Sequence, residues 1–375
     1  MKTILFFSIC IVALAYVLYR LRRRPSMRFR SVDAVIPAYN EEPVLETSLR
    51  NLLENWYIAK VICVNDGSTD GTAKVLEKLK AEYGKRLVAI NQENTGKGGA
   101  LMHGLRYVTS PYVFLTDADT YVPPRSFGLG YMLAELEDGA DAVGGIPSSN
   151  LNKAGVLPFI RASVKLPMIA LKRTFQQITG GAPFIISGAC GMFKTEVLRR
   201  HGISDRTKVE DLDLTWTLVA NGYKVRQCNR CIVYPQECNT LREEWRRWRR
   251  WIVGYAVCMR LHKNLLLTRF GLFSILPMVL VVIVGVLAMA TVWLAAAAEY
   301  GVIGIGIALF PLVWLAAVSV LGAISAIHHK RARLIPYSAF SVLYVLLAYE
   351  IWLVHGIKGW FTGVEPARDK PTRYA

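Results

Sequence analysis

The sequence predicts an α/β domain, a parallel sheet with helices on both faces, joined to transmembrane α-helices. Three observations carry this. Short apolar strands alternate with helical segments between Val32 and Leu115, and four long apolar runs flank that region. The chain of 375 residues has a formal net charge of +17, yet it is 53% hydrophobic and only 19% charged, with a mean hydropathy of +0.30. Its charge must therefore be gathered between apolar runs rather than spread over a soluble basic surface, which excludes disorder and argues against nucleic acid as a partner.

The first run, Ile4 to Tyr19, has only Lys2 as a charge before it, and Arg20, Arg22, Arg23 and Arg24 follow directly. With no small-x-small cleavage site behind it, it is expected to be an uncleaved anchor rather than a signal peptide. Gly271 to Ala298, Gly301 to Ala326 and Ile335 to Val354 are each long enough to span about 30 Å of hydrocarbon. Basic clusters lie after the first run, at Arg242 to Arg250, and at His328 to Arg333, whereas the link at Glu299 and Tyr300 carries none. This asymmetry places Arg20 to Phe270 in the cytosol and makes the chain a multi-pass integral membrane protein. Four crossings would put the basic tail outside, so either the tail departs from the rule or the last segment re-enters. The expected organisation is an anchor with its basic flank (1–24), a cytosolic catalytic domain (31–238), interfacial amphipathic helices (239–270), membrane helices (271–357) and a polar tail (358–375). Seven scattered cysteines agree with a reducing compartment. Cys228 and Cys231 form one CxxC without a second pair at zinc spacing.

Within the domain, Ser31 to Ala38 reads as a strand ending in Pro37-Ala38-Tyr39-Asn40-Glu41-Glu42-Pro43, and Val44 to Trp56 as a helix. Val61 to Asn65 is a second strand, followed by the turn Asp66 to Thr72 and a helix from Ala73 to Tyr83. Leu87 to Asn91 is a third strand, with a helix from Gly96 to Leu105, and Tyr112 to Leu115 a fourth, ending at Thr116-Asp117-Ala118-Asp119. In a parallel sheet, ligands sit at the carboxyl ends of the strands, where each of these polar clusters falls.

The clusters have chemistry of their own. Asp117 and Asp119 flank a small residue at a strand end and can hold Mg²⁺ or Mn²⁺ against substrate phosphates; a solvated turn is the competing reading. Asp66 with Gly67 can bond a base or ribose, or equally form an Asx turn that caps a helix. Lys97, between two glycines at a helix start, resembles a phosphate contact without Walker spacing. Glu210, Asp211 and Asp213 supply either a general base or charge complementing a helix dipole. Trp245 to Trp251 alternates tryptophan with arginine beside the bilayer. It fits an interfacial helix or a pyrophosphate clamp with an aromatic sugar platform better than a nucleic-acid patch.

Taken in order, IPAYNEE, VNDGSTDGT, NTGKGGAL, LTDADT, SGACGMF, VEDLDLTWTLVANGYKV and an RW motif resemble the membrane-embedded family 2 glycosyltransferases, the group of hyaluronan, chitin, cellulose and poly-N-acetylglucosamine synthases. The resemblance covers Val32 to Gly254. It implies a GT-A type nucleotide-sugar-binding domain with a mixed, mostly parallel sheet. Ala38, Tyr39, Glu41 and Asp66 would line the nucleotide pocket, with Lys97 near the diphosphate. Asp117 and Asp119 would bind Mg²⁺ or Mn²⁺, and Asp211 would be the general base. Ser187, Gly188 and Cys190 would shape the acceptor pocket beside Glu210, with Trp251 under the acceptor sugar and Arg250 on the diphosphate. Arg247 stands where the family's QxxRW signature has glutamine; placed with the diphosphate-binding residues, it puts processivity and acceptor handling in question. The implied reaction is inverting transfer from a UDP-sugar, GlcNAc or glucose, to a growing β-linked polysaccharide that its own helices extrude. A single transfer to a lipid or other membrane-bound acceptor is the alternative. The expected partners are nucleotide sugar, membrane lipids and a glycan or lipid acceptor.

Overall fold

The computed structural model describes residues 30–280, 301–367 and 371–374, with 301–311 described by backbone alone. The expected anchor and most of the run from Gly271 to Ala298 lie outside the described residues. The described residues open with three strand-helix units and a fourth strand that follow the sequence pattern closely. β1 (Val32–Ala38), α1 (Glu42–Leu53), β2 (Ile58–Asp66), α2 (Thr72–Tyr83), β3 (Leu87–Gln92), α3 (Gly96–Leu105) and β4 (Tyr112–Leu115) form the first half. The second half contains β5 (Thr120–Tyr121), α4 (Gly128–Glu137), β6 (Ala142–Pro147), α5 (Val156–Gly180), β7 (Gly191–Lys194), α6 (Thr195–His201), α7 (Glu210–Ala220) and β8 (Val225–Pro235).

The strands make one mixed sheet in the order β3-β2-β1-β4-β7-β6-β8-β5. β3, β2, β1 and β4 run parallel, β7 is antiparallel to both β4 and β6, and β8 returns parallel to β6. Side chains alternate across the pleat, so each strand feeds two cores. Ala34, Ile36, Val61 and Cys63 meet Leu45 and Leu49 of α1 and Leu76 and Leu79 of α2 on one face. Val35, Ile62 and Val64 meet Leu101 and Leu105 of α3 on the other, in a core that continues to Leu212, Leu214 and Trp216 of α7. Helices on both faces leave the strands' carboxyl ends as the place where side chains can reach a ligand. Gly104 lets α3 lie close on the sheet, since a Cβ there would stand 2.6 Å from Val35 Cγ1.

After the sheet, α8 (Leu241–Leu261) carries the arginine-tryptophan run. Thr240 caps it: its hydroxyl accepts from the Glu243 N–H at 3.3 Å and donates to the Glu243 carboxylate at 2.9 Å. α9 (Gly301–His329), α10 (Leu334–Tyr337), α11 (Val342–Ile351) and α12 (Ile357–Thr362) follow. Among the described residues, Leu312–His329 and Leu334–Thr362 are long and apolar enough to cross a membrane by length and composition. Val313, Val320 and Ile327 leave most of their apolar surface exposed. The two segments nevertheless touch the sheet domain and α8. His329 Nε2 lies 3.1 Å from Ser148 Oγ, His328 Nε2 lies 2.9 Å from the Tyr234 hydroxyl, and Trp245 of α8 donates its indole N–H to Glu350 at 2.8 Å.

Candidate active site

Parallel register brings the polar ends of the first four strands together: Ala38 lies opposite Asn65, Asp66 opposite Gln92, and Val35 opposite Leu115, two residues before Asp117. Asp66 is buried, and its carboxylate accepts from the N–H of Thr95 at 2.8 Å and of Gly96 at 3.0 Å, and from the Gln92 amide at 2.7 Å. It thereby pins the glycine-rich turn before α3 to the end of β2. Gly67 next to it has φ +72°, and a Cβ there would meet Asn94 N at 2.8 Å, so the turn requires glycine. Ala38 is buried at the end of β1, Tyr39 is exposed, and the Glu41 N–H donates to Thr72 Oγ1 at 2.9 Å.

Lys97, at the start of α3, is a central cation of the site. Its ammonium lies 2.6 Å from Asp117 and 3.0 Å from Glu210, joining the strand-end aspartates to the acidic start of α7. Asp119 is met by Arg373 from the far end of the chain, at 2.6 Å. Burial raises the Asp119 pKa, Arg373 opposes that, and the neighbouring carboxylates Asp117 and Glu41 add to it. Oxygen donors that repel one another and are met by cations suit Mg²⁺ or Mn²⁺, which commonly take one or two carboxylates and complete their shell with phosphate and water. Among the described residues no three His, Cys, Asp or Glu side chains converge as a self-sufficient metal cage. A metal held here would thus depend on its substrate for the remaining ligands.

The three acids of α7 divide their work. Glu210 pairs with Lys97, while Asp213 is held by His262 Nε2 at 2.6 Å and by Arg206 in a bidentate pair at 2.6 and 2.8 Å. Burial pushes the Asp213 carboxyl up, but its partners, His262 foremost, hold it below the usual range. Asp211 lies between these fastened neighbours, with Oδ2 accepting the Gly188 N–H at 2.9 Å and Oδ1 the Leu212 N–H at 2.9 Å. Its pKa is raised by burial first and Glu210 second, against the pull of Lys97 and of the Gly188 N–H. A carboxylate with elevated proton affinity and fixed orientation is what base catalysis uses. Lys97, Ser187, Gly188, Glu210 and Asp211 line a narrow cleft backed by Leu115.

The remaining expected residues are distributed differently. Cys190 is buried, its Sγ 3.8 Å from Cys231 Sγ, and faces the sheet. The neighbouring Cys190 thiol first and burial second hold Cys231 well above its ordinary pKa, and burial pushes Cys228 up to about 12. Arg250 donates to the Lys208 carbonyl at 3.0 Å, beside the start of α7. Half-buried Trp251 has the guanidinium groups of Arg161 and Arg247 over its ring, at 5.1 and 5.3 Å. Arg247, expected among the diphosphate contacts, is instead enclosed with Glu237 at 2.8 Å and with Glu244, both buried carboxylates. Its charge is already neutralised inside the protein, which explains how arginine is accommodated where the family signature has glutamine. The ion pairs of Arg373 were not foreseeable, because Arg373 and Glu41 are 332 positions apart and no local pattern connects them.

Fold and site together define a glycosyltransferase of the GT-A type. Residues 33–202 match the model of Glycosyl transferase family 2. Over all 375 residues the chain is 64% identical to the uncharacterized glycosyltransferase YaiP of Escherichia coli (strain K12), covering 94% of that protein. A stretch of 244 residues, 63% of this chain, is 30% identical to the poly-beta-1,6-N-acetyl-D-glucosamine synthase of Staphylococcus aureus (strain COL) and spans 58% of that synthase. Among solved structures, the mannosyltransferase PcManGT from Pyrobaculum calidifontis, in complex with GDP-Man and Mn²⁺, matches with a TM-score of 0.53 at 21% identity, over 96% of this chain and 97% of that one. The chain belongs to glycosyltransferase family 2.

Proposed function

We propose that the chain moves a sugar, N-acetylglucosamine or glucose, with inversion from a UDP-sugar to a growing β-linked polysaccharide, as a membrane-held enzyme whose catalytic domain faces the cytosol. The observation that carries this reading is the placement of Asp211, oriented by the Gly188 N–H at 2.9 Å and raised in proton affinity, across Lys97 from the strand-end aspartate Asp117. Asp117 and Asp119 would hold Mg²⁺ or Mn²⁺, which supplies charge stabilisation to the departing diphosphate. Lys97 would add a protein cation on the same side. Asp211 would take the proton of the acceptor hydroxyl as that oxygen attacks the anomeric carbon from the face opposite the diphosphate. The S. aureus relative supports the choice of sugar, and the Mn²⁺ bound by PcManGT supports the metal.

A second reading, transfer of a single sugar to a lipid or other membrane-bound acceptor, is favoured by Arg247. It replaces the glutamine of the synthase signature, and its pairing with Glu237 and Glu244 keeps its guanidinium from an acceptor. Purified protein in nanodiscs, given Mn²⁺ and radiolabelled UDP-sugars with and without lipid extract, separates the two. Label in a long polymer is the expected result; one sugar on extracted lipid establishes the second reading, and no transfer from any UDP-sugar removes both.

A further inference from the structure

The chain returns to the donor site after its last helix. Glu365 accepts the Lys208 N–H at 2.7 Å, and Thr372 donates its N–H to Glu243 at 2.9 Å. Arg373 then places a fork on Glu41, Nε to Oε2 at 2.9 Å and Nη2 to Oε1 at 3.1 Å, and extends Nη1 to Asp119 Oδ2 at 2.6 Å. The Tyr374 hydroxyl donates to the Glu237 carbonyl at 3.1 Å, and the Gln236 side chain bonds the Tyr374 backbone. Five residues of the catalytic half thus hold this short segment, and the Arg373 side chain is only 14% exposed. A guanidinium fork on a carboxylate is among the stronger neutralising contacts a protein makes.

We propose that the C-terminal segment Thr372–Tyr374 is an internal competitor of the donor's divalent cation, with Arg373 standing in for that cation on Asp119 and Glu41. The inference rests on the reading of Asp119 as a metal ligand. A metal ion would approach a carboxylate oxygen to about 2 Å, and beside the oxygen that already accepts Arg373 at 2.6 Å it would stand against a like charge. Occupancy by one therefore disfavours the other. The exchange keeps a cation against Asp119 and Glu41 throughout, so the tail covers this pair without leaving both acids unpaired. Loading the metal and nucleotide therefore releases the tail, and the tail's return favours discharge of the spent diphosphate.

Full-length protein in detergent, titrated with Mn²⁺ alone and followed by electron paramagnetic resonance of the free ion, tests this. Arg373→Gln, and a chain ending at Lys370, should each bind Mn²⁺ about three- to tenfold more tightly than wild type, because the competent fraction is no longer reduced by the closed tail. Carboxypeptidase should trim the wild-type terminus faster once Mn²⁺ and UDP are present, read by mass spectrometry. Unchanged or weaker Mn²⁺ binding in both variants, or trimming indifferent to Mn²⁺ and UDP, overturns the proposal. Asp119→Asn separates the layers. If it binds Mn²⁺ as wild type does, the metal-site reading fails and the competitor with it; if it loses Mn²⁺ while both tail variants match wild type, the competitor alone fails.

Discussion

Two clusters of acids in this molecule are balanced in opposite ways, one around the buried Glu237 and Glu244 and one around the partly exposed Asp117, Asp119 and Asp211. Around Glu237 and Glu244, the cations Arg161, Lys165 and Arg247 outnumber the carboxylates. Burial pushes the Glu237 carboxyl up, but those cations hold it well below the usual carboxylate range, and burial lowers the Lys165 ammonium to about 8. Around Asp117, Asp119 and Asp211 the balance is reversed, and both Asp119 and Asp211 are raised. Over-compensated acids are fixed parts of the architecture. Under-compensated acids have a standing demand for positive charge, and that demand marks the candidate site where acid counts alone do not.

The sharpest way to break the comparison is to neutralise one acid from each cluster. Asp211→Asn should lower kcat by about 10²–10⁴-fold while the Kd for UDP stays within about twofold, as measured by turnover and calorimetry; loss of UDP binding would remove Asp211 from the role of base. Glu237→Gln should do the reverse, destabilising the fold by about 3–5 kcal/mol because three buried cations lose their shared partner, seen as a lower Tm. The smallest effect concerns pH. Asp211 must be ionised to accept a proton, so kcat/KM should rise with pH through its raised pKa, with an acid limb above the ordinary aspartate range. Lys97 pulls that pKa down. Lys97→Met should therefore move the acid limb to higher pH, and a limb that stays in place would detach Lys97 from the base.

Much of the first half of the fold was legible because its information is local. The strand-helix alternation marks β1 to β4, and Gly96–Leu105 and Tyr112–Leu115 fall where the pattern puts them. Asp66 shows the limit of that legibility: the motif marks it as important, but not the bonds its carboxylate accepts from Thr95, Gly96 and Gln92. The antiparallel β7 was not legible, since Gly191–Lys194 is too short to show alternation and is defined by its pairing with β4 and β6. Arg373 was read as part of a polar tail because an ion pair across most of the chain leaves no periodicity. The Arg373 contact with Glu41 brings residues 371–374 against the strand-end residues of the sheet domain.

The first turn of α7 has a consequence for sequence comparison. Three acids within four positions look like a reserve of interchangeable charge, but each is fastened in its own direction, to Lys97, to the Gly188 N–H and to His262 with Arg206. A relative that shuffles the order of these letters keeps the composition and the helix, and loses the address to which each carboxylate is delivered.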